Sequence, residues 1–292
     1  MALDRPDKGN DVADIAERRK TQDAQGIRWG DHAFAQALVR LAQPSRESRR
    51  RVSVAEHRHS EGRGEVLLAA AAVEAYRPQW FAAPAATGQG GLQGGRGNVR
   101  VIDTDIGPLV HRGYRRGGLP RHFIRDRYLW LGADRTRSFQ EFRLMRRLHA
   151  LGLPVPMPVA ARYQRSGLAY TADLLTCLIP DATPLAVLLA DDGSGQDNTL
   201  ESVARSIAAM HARQVWHADL NAHNILVDRE GRAWLIDFDR AREHVESPVQ
   251  LAGNLHRLLR SLRKLLPPQR LADVEAVWPR FIDSYRRALA TT

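Results

Sequence analysis

The chain has 292 residues, 43% apolar and 26% charged, with one cysteine and a net charge of +10. That composition supports a sizeable core and excludes a disordered, collagenous or disulfide-framed protein. No apolar run nears the roughly 20 residues that span a bilayer, and the mixed charges of Met1-Ala2-Leu3-Asp4-Arg5 do not read as a secretory signal, so a cytosolic protein is expected.

Residues 1–64 are polar and charged, with Arg49-Arg50-Arg51 and Glu61-Gly62-Arg63-Gly64, and read as a poorly structured N-terminal extension. A glycine-rich run, Gly88 to Asn98, follows an aromatic stretch at Trp80-Phe81. Val99–Ile102 and Pro108–Val110, separated by a turn, are predicted strands. Arg137 to Leu151 carries Phe139, Phe142, Leu144, Met145 and Leu148 at helical spacing and stops at Gly152 and Pro154. Pro154-Val155-Pro156-Met157-Pro158 reads as a linker, and Leu168–Thr171 and Leu174–Ile179 as two further strands. Thr199–Arg213 is a predicted helix. Ile225–Val227 and Ala233–Ile236 form a predicted hairpin, and two helices, Leu251–Leu265 and Leu271–Leu289, close the chain. The order is strands with one helix, over 65–177, then a mostly helical part, over 178–292.

The chemistry is concentrated in His217-Ala218-Asp219-Leu220-Asn221-Ala222-His223-Asn224 and in Asp237-Phe238-Asp239. Phosphoryl transfer from ATP needs a carboxylate at the acceptor hydroxyl and oxygen ligands that hold Mg²⁺ against the phosphates. A loop H-x-D-x-x-x-x-N followed by D-F-G supplies them in kinase-like sites, and this chain has that spacing. The resemblance to protein kinases and their small-molecule relatives implies a bilobal α+β fold. By position, it implies Asp219 as catalytic base, Asn224 and Asp237 as metal ligands, and His217 as a brace for the loop. Asn221 and His223 have no assigned role.

Three departures stand out. Ala218 replaces the Arg of H-R-D, Asp239 replaces the Gly of D-F-G, and no lysine occurs between Lys20 and Lys264. Arg112, just after the strand at Leu109–Val110, is the best-placed substitute for the ATP-binding lysine, with Glu141 as its expected partner on the following helix. Gly94, Gly95 and Gly97 are the candidate phosphate-covering loop, although glycine-rich runs also serve as linkers.

Tyr114-Arg115-Arg116-Gly117-Gly118, Arg125-Asp126-Arg127-Tyr128-Leu129-Trp130, Gly152-Leu153-Pro154-Val155-Pro156 and Asp237-Phe238-Asp239-Arg240 resemble the lipopolysaccharide kinase family, nearest its members that act on 3-deoxy-D-manno-octulosonic acid (Kdo). That resemblance runs from about Trp80 to the C-terminus. It implies transfer of the ATP γ-phosphate to the 4-hydroxyl of a Kdo sugar on lipid A precursor, at the cytoplasmic face of an inner membrane. Between His111 and Arg147 the sequence holds 11 Arg against Asp126, Asp134 and Glu141, which suits an anionic partner or a solvated basic face. The segment His256–Leu266 alternates basic and apolar residues and reads as a membrane-surface helix or a core helix with a solvated basic side. Two other readings stay open: a soluble aminoglycoside- or choline-like kinase, and a catalytically silent kinase-fold binding module. No nucleic-acid motif accompanies the arginines, and no nucleic-acid partner is expected.

Overall fold

A computed structural model describes residues 55–82, 99–114, 128–191 and 196–291. Its N-terminal part is a seven-stranded sheet. The strands are β1 (Glu56–Glu61), β2 (Gly64–Ala69), β3 (Val99–Ile102), β4 (Leu109–Gly113), β5 (Tyr128–Leu129), β6 (Pro158–Ser166) and β7 (Ala169–Cys177). They run in the order β1-β2-β6-β7-β4-β3 with β5 also on β7, and every pairing is antiparallel. One face is covered by residues 70–81, where Tyr76, Trp80 and Phe81 pack with Val66, Leu68, Leu109, Val159 and Leu175. The other carries α1 (Arg137–Ala150), whose Phe139 meets Tyr163 of β6 edge-on at 5.3 Å.

The sheet begins earlier than composition suggests. Residues 56–61 fall inside the stretch expected to be an unstructured extension, yet they form β1, paired along its whole length with β2. Its residues are almost all exposed and polar, so no hydrophobic alternation announces it; charged, two-sidedly polar strands are what sheet edges use to avoid further pairing. The strands that follow the expected linker are central to the sheet. β6 starts at Pro158, the last residue of the expected linker, and the two strands expected within 168–179 are one continuous β7. Asp173 does not interrupt β7, because His111 Nε2 lies 3.0 Å from its carboxylate and Arg162 donates to it at 2.9 Å.

After β7 the chain becomes mainly helical: α2 (Leu185–Leu188), α3 (Gln196–Ala212), α4 (Pro248–Leu265) and α5 (Pro268–Thr291), with β8 (Thr183–Pro184), β9 (Ile225–Val227) and β10 (Ala233–Leu235) in a small second sheet. α4 is started by Ser247, whose hydroxyl accepts from the Gln250 N–H, with Pro248 in the first turn. Its Leu251, Leu255, Leu258 and Leu262 are buried while Arg260, Arg263 and Lys264 are exposed, so it is a core helix with a solvated basic side. Among the described residues no helix is long and apolar enough to cross a membrane. A sheet lobe with one helix joined to a helical lobe bearing a hairpin is the protein-kinase-like bilobal fold.

Candidate active site

The 217–224 loop is held from beneath by side chains far away in sequence. His217 is fully buried. Its Nδ1 accepts the Asp219 N–H at 3.1 Å, so Nε2 carries the proton and donates to the Ile236 carbonyl at 3.0 Å. Burial lowers its pKa, partly opposed by that carbonyl, and the ring is neutral. Asn254 of α4 accepts the His217 N–H at 3.1 Å and donates to the His217 carbonyl at 2.6 Å. The same Asn254 oxygen accepts from His211 Nε2 at 3.2 Å, and His211 Nδ1 accepts from the Tyr285 hydroxyl at 2.8 Å. A buried chain of hydrogen bonds thus runs from α5 through α3 and α4 into the loop.

Within the loop, Asn221 acts on the backbone. Its side-chain oxygen accepts from the N–H groups of His223 and Asn224, at 2.9 and 3.3 Å, closing a tight turn. The Asn224 amide donates to the Asp219 carbonyl at 2.8 Å, and the Asn224 carbonyl accepts from Ile236 at 3.1 Å. These bonds place Asp219, Asn224 and the start of Asp237-Phe238-Asp239 on one rigid unit. Asp237 itself has φ of +63°, a left-handed conformation that a non-glycine residue holds only when its surroundings impose it. Phe238, buried behind it, packs edge-on against His217 at 4.9 Å.

The sheet delivers the opposite wall. Alternation along β4 sends Leu109 and His111 to one face, and Arg112, with Tyr114 just beyond the strand, to the face covered by α1. Arg112 donates through Nη1 to Asp237 and through Nη2 to Glu141, and its guanidinium lies 4.7 Å from the Tyr114 ring centre. The Tyr114 hydroxyl donates to the same Glu141 oxygen. Glu141 is 3% exposed, and its other oxygen has no partner among the described residues. Burial raises the Glu141 pKa against the opposing charge of Arg112. Burial alone would lower that of Arg112, but Glu141, Tyr114 and Asp237 hold it above its ordinary value. The pair is a charged one, linking sheet, helix and hairpin.

Two arginines of α1 reach the segment after Asp237. Arg137 donates through Nε to Asp239 at 2.7 Å and also through Nη2. Arg147 donates through Nε to Glu243 at 3.1 Å and again through Nη2. Along these forks lies a pocket of about 330 Å³, lined also by Leu144 and Phe238. The Arg137 fork explains the Asp at the glycine position of D-F-G, which is its acceptor.

Of the residues singled out from sequence, the structure brings together Arg112, Glu141 and Asp237, and separately Asp219, Asn224 and His217 with the start of the hairpin. Gly94, Gly95 and Gly97 lie outside the described residues, as does the arginine-rich segment 115–127. Tyr114, Arg137, His211 and Asn254 were not anticipated. The visible signals were Tyr114, which opens a motif shared with the family it resembles, and Asn254, a polar residue in an apolar helical stripe. Asp219 keeps its carboxylate open, with side-chain exposure of 63% and Arg257 Nη1 at 3.9 Å.

Fold and site together define a kinase-fold phosphotransferase: an open Asp219 carboxylate on a braced loop, the side chains of Asn224 and Asp237 on the same unit, and a buried cation–carboxylate pair reaching Asp237 from the sheet. The model of the lipopolysaccharide kinase (Kdo/WaaP) family matches residues 91–285, and the chain belongs to that family. It is 46% identical over 198 residues to the 3-deoxy-D-manno-octulosonic acid kinase of Stenotrophomonas maltophilia K279a, covering 67% of this chain and 78% of the relative. The kinases of the same name from Xanthomonas campestris pv. campestris B100 and Xylella fastidiosa 9a5c are 45% and 43% identical, each over 196 residues. Those matches cover 67% of this chain, and 78% and 76% of the relatives respectively.

Proposed function

We propose that this protein transfers the γ-phosphate of ATP to the 4-hydroxyl of a Kdo residue on lipid A precursor, working as a peripheral protein at the cytoplasmic face of an inner membrane. The observation that carries the reading is the contact of Arg112 with Asp237, which joins the sheet lobe to the braced loop and hairpin. The names of the 43–46% identical relatives supply the acceptor.

Asp219 accepts the proton of the acceptor hydroxyl as its oxygen bonds to the γ-phosphorus and ADP departs with the bridging oxygen. His217, buried and neutral, keeps the Asp219 backbone fixed rather than exchanging protons. Arg112, aimed by Glu141 through Nη2, turns its Nη1 from Asp237 to the phosphate oxygens when nucleotide binds, which frees the Asp237 carboxylate. The oxygen set of Asn224 and Asp237 suits Mg²⁺, a hard cation that takes one or two protein ligands and fills its shell with phosphate and water. When bound, the ion neutralises charge on the phosphates.

The test is transfer of labelled γ-phosphate from ATP to Kdo-bearing lipid A precursor, with Mg²⁺ or EDTA, and location of the phosphate by two-dimensional ³¹P–¹H NMR. Label on the 4-oxygen, lost with EDTA, supports the proposal. Tight binding of Mg²⁺-ATP without transfer would overturn the acceptor, and binding of neither would overturn the activity.

A further inference from the structure

Asp219 has a charged neighbour from outside its own loop. Arg257 of α4 holds Nη1 3.9 Å from Asp219 Oδ1, with side-chain exposures of 36% and 63%. That spacing is ion-pair range but too long for a hydrogen bond, and an exposed pair of this kind adds little to stability. Arg257 is therefore poorly explained as a structural residue. It is well placed to meet whatever Asp219 meets.

The helix fixes this position firmly. Three residues before Arg257, Asn254 is bonded to His217. Four residues after it, the Ser261 hydroxyl accepts the Ala222 N–H at 3.2 Å. One face of α4 thus underlies the loop from His217 to Ala222, and Arg257 stands between its two anchors. Arg260 and Lys264 follow at helical spacing, both exposed and without an ion pair among the described residues. Arg112 and Asp237, which line the nucleotide side in the proposed reaction, come from other elements. The cationic stripe of α4 is left for the acceptor.

We infer that Arg257 binds the carboxylate of a sugar-acid acceptor and thereby sets acceptor specificity. The inference rests on the proposed reading that the acceptor is an ulosonic acid. In such a sugar the carboxylate sits a few bonds from the 4-hydroxyl, so one residue of it can present the hydroxyl to Asp219 and the carboxylate to Arg257. A guanidinium matches a carboxylate with two parallel donors, which an ammonium cannot reproduce. Arg260 and Lys264 extend the same field toward further anionic groups of the acceptor.

The experiment compares the Kdo-bearing acceptor with its carboxyl methyl ester, using wild type, Arg257→Gln and Arg257→Lys at saturating ATP. Wild type is expected to lose about 10- to 100-fold in kcat/KM on the ester, the worth of one charge-assisted contact. Arg257→Gln is expected to lose a similar factor on the acid, largely through acceptor KM, and to treat acid and ester alike within about twofold. Arg257→Lys should fall between. The inference is overturned if Arg257→Gln keeps the wild-type ratio of acid to ester. A fall in kcat equal on both acceptors is one such case, and would assign Arg257 to the phosphoryl group instead. The wild-type comparison needs no variant: equal use of acid and ester refutes the carboxylate contact while the proposed activity stands. Transfer to neither acceptor refutes the activity and this inference with it.

Discussion

Removing the charge of Arg112 should cost far more when Glu141 keeps its own. Glu141 is 3% exposed, and besides the Tyr114 hydroxyl its partner is the Arg112 guanidinium. Arg112→Met leaves a carboxylate buried without a counter-charge, a change worth about 3–5 kcal/mol. That is a large share of the roughly 5–15 kcal/mol that holds a domain folded. Glu141→Gln alone leaves Arg112 with Asp237 and should cost only about 1–2 kcal/mol. The double variant buries no unpaired charge, so the two changes should couple favourably by about 2–3 kcal/mol. The pH dependence has a definite sign. Burial already raises the Glu141 pKa above its ordinary 4.5, and losing Arg112 removes the main opposing influence. Above 4.5 and below the raised value the folded Arg112→Met variant binds more protons than its unfolded chain, so its stability falls as pH rises through that window. Urea unfolding followed by circular dichroism from pH 5 to 8 measures this. Arg112→Met should lose ground to wild type as pH rises, and adding Glu141→Gln should remove the slope. Additive costs with no pH trend would refute a charged, buried pair.

Three further outcomes follow from the same contacts. Asp219→Ala should lower kcat at least 100-fold, about the contribution of a positioned base. Calorimetric ATP affinity should stay within a few-fold, and wild-type turnover would remove Asp219 from the chemistry. Asp239→Gly should release Arg137 and speed amide hydrogen exchange across α1; unchanged exchange would show that apolar packing, not the ion pairs, fixes the helix. His211, its pKa pushed by burial from 6.5 to about 4, binds a proton in the unfolded chain at a pH where the folded one does not. Its contribution is present above pH 6.5 and is lost as pH falls toward 4, amounting to about 3 kcal/mol. In His211→Gln the fall in stability between those pH values should shrink by that amount, as read by urea titration.

What sequence disclosed and what it concealed divide along a physical line. The loop at 217–224 and the hairpin that follows depend on residues a few positions apart, so their spacing is visible directly. α1, α3, α4 and α5 carry apolar residues at helical period, and α1 and α4 end just before prolines, so their positions follow closely. β1 is concealed because an exposed edge strand needs no apolar face. β6 is concealed because Pro158, Ala160 and Ala161 give weak strand preference, and only its pairing with β2 and β7 makes it a strand. Asp173 reads as a break because the partners that neutralise it, His111 and Arg162, belong to other strands. Asn254 and His211 become meaningful only once α3, α4 and α5 are packed together.

The two departures from the kinase pattern that lie around Asp237 are connected by this packing. A lysine at position 112 would present one compact cation, whereas the guanidinium has two separated ends and uses one for Glu141 and the other for Asp237. Asp237 is already in a left-handed conformation, and the residue two places on, a glycine in protein kinases, is an aspartate held by Arg137. With Arg147 on Glu243, three arginine forks tie α1, the sheet and the 237–243 segment into one arrangement. In protein kinases such an arrangement depends on activation-loop phosphorylation, read partly through the Arg of H-R-D. Here position 218 is alanine, and the carboxylates of Asp239 and Glu243 supply fixed negative charge to Arg137 and Arg147. An enzyme built this way should have full activity as synthesised. Phosphatase treatment of the purified protein should leave kcat unchanged within experimental error, and a loss of activity on that treatment would show that the carboxylates do not suffice.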